Sequence, residues 1–227
     1  DDVMNQQRKV VYAWRKEVLA RENLREMAFS MVEELAGAIT EDFFPGGKPK
    51  KSGGSAELDT HELNAALTTT FSFPTHFTEK DIEPFNGEGM KKLIMRTAER
   101  HYAEKEKQYG AETVRQLEKM ILLTTIDQLW KDHLLAMDHL REGIGLQGYG
   151  QKDPLIAYKK EGFRFFDMMM GQINGDVVRK LFAVQLAPQD LEVFDEEARE
   201  HDHEIDAMGF APSAPAPGAP APKMQYN

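Results

Sequence analysis

The residues of this chain that could do chemistry are seven histidines and a cluster of glycines. Asp132-His133 and Asp138-His139 form a local echo, but a step of six places the two imidazoles on different helix faces, where they cannot share a metal. His201-Asp-His203-Glu204 lies in an acidic tail that suits only adventitious metal binding. Gly145, Gly148 and Gly150 neither follow a strand nor keep dinucleotide spacing, and no Gly-x-x-x-x-Gly-Lys-Ser/Thr loop occurs, so nothing here cradles a phosphate. These glycines read as a turn between helices that needs positive φ. No serine stands in a nucleophile turn, and the absence of cysteine excludes a thiol nucleophile, a disulfide scaffold and thiolate metal ligands. The expectation is a segment with no catalytic residue, no metal and no cofactor of its own.

What remains is binding chemistry. Tyr149 stands between Gly148 and Gly150, with Gln147, Gln151 and Lys152 around it. A ring on a tight loop is hard to bury, and loops held by rigid scaffolds tend to carry function. Phe163, Phe165, Phe166, Met168, Met169 and Met170 form a second apolar group. Most of it reads as core, but six residues exceed one helix face, so some of Phe163, Met168 and Met170 should point away from the packing seam.

The elements that position these residues are two long amphipathic patterns. Leu123, Ile126, Trp130, Leu134, Met137, Leu140 and Ile144 recur in steps of three and four before the glycines. Tyr158, Phe165, Phe166, Met169, Ile173, Val177, Leu181 and Val184 do so after Pro154. Each set lies on one helix face, which predicts two arms zipped antiparallel, with Trp130, Leu134, Met137 and Phe166 in the seam. An arm from about Ala111 to Ile144 would be roughly 50 Å long.

Upstream, a helix to about Ala20 breaks near Arg21–Asn23, and a second ends around Phe44. Pro45–Gly54 is a loop. Shorter helices follow, punctuated by Pro74, Pro84, Gly87 and Gly89, with a capping-box spacing at Thr78-Glu-Lys-Asp81 and a helix over Glu88–Gln108. Thr68–Phe73 has some strand character but no partner of similar quality. The fold class is all-α: long scaffold helices, an antiparallel hairpin and a small helical domain, ending in a Pro/Ala-rich tail that should be a disordered tether. The expected divisions fall at 1–20, 21–110, 111–186 and 187–227.

The net charge is −10, and 190–206 holds nine carboxylates against Arg199, a local balance of −8 that leaves −2 for the rest. No basic footprint for nucleic acid is present. The longest apolar runs are too short to span a bilayer, and no signal peptide opens the chain. The start at Asp1-Asp2-Val3, already in helical register, reads as the continuation of a longer protein.

Asp1-Asp-Val-Met-Asn-Gln-Gln-Arg8 with Val11-Tyr12, Thr125-Ile-Asp-Gln-Leu-Trp-Lys-Asp-His133, Met137-Asp-His-Leu-Arg141 and Gly143-Ile-Gly-Leu-Gln-Gly-Tyr-Gly-Gln-Lys-Asp-Pro154, with Tyr158-Lys159 and Glu161, closely resemble the carboxy-terminal third of the SecA family. Its members are ATP-driven motors that move unfolded secretory proteins through the SecYEG channel of bacteria. The resemblance covers about Asp1 to Leu186, densely across the hairpin and loosely between Lys48 and Thr75. It implies that 1–20 and 111–186 are helical scaffold domain, 21–110 the helical wing domain, and the hairpin the family's two-helix finger.

It further implies that the fingertip, with Tyr149 at its centre and Gly148, Gly150, Gln151 and Lys152 beside it, contacts the translocating polypeptide. The stretch from Arg141 to Lys152, with Ile144, Leu146 and Gln147, would restrain ATP hydrolysis. The implied partners are SecYEG, an unfolded preprotein and the motor domains of the parent chain, where ATP and Mg would bind. An anionic membrane surface and a second copy of the chain are further ones. The implied place is the cytoplasm and the cytoplasmic face of the inner membrane. Many members end in a Cys-rich zinc segment that binds SecB, whereas this chain ends in Pro/Ala repeats. A reading from another class is a free-standing helical adaptor that docks a partner through the Phe/Met face.

Overall fold

The computed structural model describes residues 2–50, 58–147 and 153–186. Six α-helices follow in order: α1 (Asp2–Ala20), α2 (Arg25–Phe43), α3 (Thr60–Phe71), α4 (Gly87–Tyr109), α5 (Ala111–Gln147) and α6 (Pro154–Ala183). Single 3-10 turns lie at Pro45–Gly47 and Glu79–Asp81. The described residues contain no strand, and the fold is all-α.

Local chemistry sets the helix ends. The Asp59 carboxylate accepts from the Glu62 amide at 2.9 Å to start α3, Asn86 accepts from Gly89 at 3.0 Å to start α4, and Asp153 accepts from Leu155 at 2.8 Å to start α6, with Pro154 in the first turn. Gly110, at φ 89, stops α4 in a conformation that a side chain would strain, and α5 begins at the next residue. The Thr78 amide and hydroxyl both donate to Asp81 Oδ2 at 2.7 Å, and this box opens one 3-10 turn only. Thr68–Phe71 forms the last turn of α3. The buried Leu63, Leu67 and Phe71, at helical spacing, override the β-branched residues between them.

α5 and α6 pack antiparallel along most of their length. With 37 residues, α5 is about 55 Å long at 1.5 Å per residue. α1 lies against this hairpin and runs opposite to α5, as Gln7 pairs with His133, Arg15 with Asp127 and the Leu19 carbonyl with Lys119. The helices α2, α3 and α4 cover the end of the hairpin away from its turn, where Asn174 meets Glu34 and Lys105 meets the end of α6.

One hydrophobic cluster joins all six helices there, with Trp14, Phe71, Ile94, Leu117, Ile126, Ile173 and Val178 closed to solvent. Trp130 and Phe166 are the members of that cluster nearest the turn. Beyond them Val3, Met137 and Ile144 are buried outside it. The hairpin therefore has a thick base and a thin far half. No described helix is long and apolar enough to cross a membrane.

Candidate functional site

The turn that joins α5 to α6 contains Gly148, Tyr149, Gly150, Gln151 and Lys152, all of which lie outside the described residues. Leu146 and Gln147 are helical in backbone at the end of α5. Ile144 is buried, whereas Arg141 projects into solvent and pairs with Asp138 at 3.0 Å, three residues back on the same helix. These two therefore point in different directions from one stretch of helix.

The seam below is apolar and aromatic. Trp130, Met137 and Phe166 are buried, and Leu134 is half-buried against the same cluster. The Trp130 ring stacks on His133 at 5.5 Å, and His133 meets the Phe166 ring edge-on at 5.8 Å. His139, by contrast, is exposed. Among the described residues no three His, Cys, Asp or Glu side chains gather as a metal site would require.

The Phe/Met group divides. Phe166 and Met169 are buried, Phe165 is half-buried beside the Arg164 guanidinium, and Met170 packs against the core. Phe163 and Met168 face outward, 38% and 62% exposed. Leu155 and Ile156, in the first turn of α6, are more open still at 59% and 66%. They follow the turn directly, so an apolar surface adjoins it.

Two buried polar groupings carry no motif. Near the middle of the hairpin Gln7 of α1 is closed to solvent and bonded to both arms, to His133 and to the Gly162 carbonyl. Burial pulls the His133 imidazole down to about 4, so it is neutral. The signal in the sequence is a polar residue inside the row Val3, Gln7, Val11, Trp14, Val18, and a histidine at seam spacing in α5.

At the base, the Glu118 carboxylate accepts from the Tyr102 hydroxyl at 2.6 Å and from Arg115 Nη1 at 2.8 Å, and Arg115 also contacts Glu106. Burial pushes both the Tyr102 hydroxyl and the Glu118 carboxyl up. Lys105 donates to the carbonyls of Phe182 and Val184 and so caps the C-terminus of α6. Its burial lowers the ammonium to about 8. The Tyr109 hydroxyl accepts from the Leu186 amide at 3.3 Å, which fixes the chain as it leaves α6.

The described residues form a braced base, a slender two-helix arm and apolar side chains near its turn. The family model described as the SecA wing and scaffold domain matches residues 1–185. Relatives named protein translocase subunit SecA include one from Syntrophobacter fumaroxidans, 37% identical over 94% of this chain and 24% of its own length. The relative from Desulforudis audaxviator is 40% identical over 83% of the chain and 21% of its own length, and that from Acidobacterium capsulatum is 35% identical over 99% and 22%. The chain thus spans less than a quarter of the length of these relatives.

Proposed function

The chain belongs to the SecA family as its wing and scaffold part, and we propose that it serves protein translocation as the scaffold of a two-helix finger whose turn contacts the moving polypeptide. The observation that carries this reading is the hairpin itself. Its two arms of 37 and 30 residues share an apolar seam, α2–α4 brace the end away from the turn, and α1 runs along the arms. A braced lever converts a small rotation at its base into a larger excursion at its tip. The exposed Leu155 and Ile156 give the region of the turn apolar surface for a partner.

Residues 1–20 and 111–186 act as scaffold, 21–110 as wing and 187–227 as the C-terminal linker. Tyr149 is the contact residue, flanked by Gly148, Gly150, Gln151 and Lys152. A ring between glycines grips varied side chains through apolar and stacking contact without demanding one substrate sequence. The stretch Arg141, Ile144, Leu146 and Gln147 restrains ATP hydrolysis by the motor domains of the parent protein until substrate and SecYEG are engaged. No residue of this segment is assigned to nucleotide binding. The site of action is the cytoplasmic face of the inner membrane, where the channel opens.

A cysteine at Tyr149 in the full-length motor, stripped of other reactive thiols, tests this. It should crosslink to a preprotein stalled during ATP-driven transport, while a control cysteine at the hairpin base should not. Intact transport without a crosslink at the tip would sink the contact role and leave the hairpin as scaffold alone.

A further inference from the structure

We infer that Gln7 is a positioning residue that locks α1 to both arms of the hairpin, so that the three helices move as one body; the inference rests on the lever reading above. Gln7 is fully closed to solvent in a row that is otherwise Val3, Val11, Trp14 and Val18. A buried primary amide is costly unless its donor and its acceptor are both used. Here both are. Gln7 Nε2 donates to the Gly162 carbonyl of α6 at 2.9 Å, and Gln7 Oε1 stands 2.8 Å from His133 Nε2 of α5.

The directions follow from chemistry. A carbonyl oxygen only accepts, so Nε2 of Gln7 must face Gly162, which turns its Oε1 to His133. The neutral imidazole then carries its proton on Nε2. Packing leaves little slack around this bridge. Trp130 and Phe166 hold the ring from two sides. At Gly162 a Cβ would come within 2.8 Å of Met137 Cε, so the Met137 side chain of α5 fills the space that position leaves, with Val3 Cγ1 of α1 in ordinary contact at 3.5 Å.

An apolar residue at position 7 would bury as well but would tolerate sliding. Two directional bonds to two different helices do not. Moving α1 along its axis would strip Gln7 and His133 of their partners in a site closed to solvent, at a cost of about 1–3 kcal/mol for each unsatisfied group. Arg15 with Asp127, at 3.0 and 3.2 Å, and Lys119 with the Leu19 carbonyl tie α1 to α5 further toward the base. Gln7 reaches both arms at the edge of the continuous core, where the slender half begins. A displacement of α1 therefore passes into the hairpin without being lost in its middle.

The test uses the full-length protein with spin labels at the exposed Tyr12 of α1 and, in separate samples, at the exposed Leu135 of α5 or Met168 of α6. Each pair should give one narrow distance distribution. Q7M, close to Gln in volume, should broaden both. It should also speed backbone exchange over 131–137 and 160–166 by about tenfold or more, the loss of both hydrogen bonds that Gln7 makes. H133F should broaden the distances too, whereas H133Q, which returns an N–H near the position of the imidazole Nε2–H, should narrow them again. If Q7M does not fold, the contrast between H133F and H133Q decides the matter. Narrow distances in Q7M, or H133Q no better than H133F, would overturn the lock. The tip reading fails separately, on the Tyr149 crosslink, whatever these distances are.

Discussion

The Tyr102 hydroxyl donates to the Glu118 carboxylate at 2.6 Å, joining α4 to α5 where both side chains are closed to solvent. Arg115 supplies the second bond to that carboxylate at 2.8 Å, and the Arg25 guanidinium lies over the Tyr102 ring at 5.1 Å. A buried charge held by two donors is stable only while both remain. Y102F removes one donor and leaves the volume, so it should cost about 1–3 kcal/mol. E118A should cost more than Y102F, about 2–4 kcal/mol, because it leaves the buried Tyr102 hydroxyl without its acceptor, takes one of two carboxylates from Arg115 and opens a cavity, while Glu106 still pairs with Arg115. Chemical denaturation read by helical circular dichroism measures both, and equal effects of the two substitutions would refute the ranking.

His133 makes stability depend on pH in a defined window. Its imidazole titrates near 6.5 when unfolded and near 4 when folded, lowered by burial among Gln7, Trp130 and Phe166. The unfolded chain binds the proton first as pH falls. This contribution is therefore fully present above about 6.5 and drains away between there and 4, reaching up to about 3 kcal/mol. H133Q cannot titrate, so its stability should fall less steeply than that of the wild type between pH 7 and 5. Parallel curves for the two proteins would show that His133 does not titrate as described.

Trp130 and Tyr149 should separate stability from transport. W130A empties a buried position against His133 and the core, and should cost roughly 3–5 kcal/mol, read as a lowered melting temperature. Y149A should leave the melting curve in place and lower preprotein transport by the full-length motor. A Y149A protein that transports at the wild-type rate would remove the tip residue from the mechanism.

The helices were legible because their signals are local. Steps of three and four along Ile126, Trp130, Met137 and along Phe166, Met169, Ile173 specify a face each, and a face needs a partner. The caps at Asn86 and Asp153 and the stop at Gly110 are likewise written within a few residues of where they act. The polar constellations were not legible, because their members stand far apart in the chain. Gln7 lies 126 residues from His133 and 155 from Gly162, and Lys105 lies 77 from Phe182. Nothing in the local pattern tells a buried glutamine from an exposed one.

By itself, then, the sequence determined the helical class, the two long arms with their turn and, through its motifs, the family, since all of these follow from short-range periodicity and contiguous residues. Tertiary structure alone decided that α1 bonds to both arms, that Met170 packs inward while Met168 faces out, and that Leu155 and Ile156 are open beside the turn. Those outcomes depend on which helix covers which face at which height, and that is set by how the whole chain shares its buried surface.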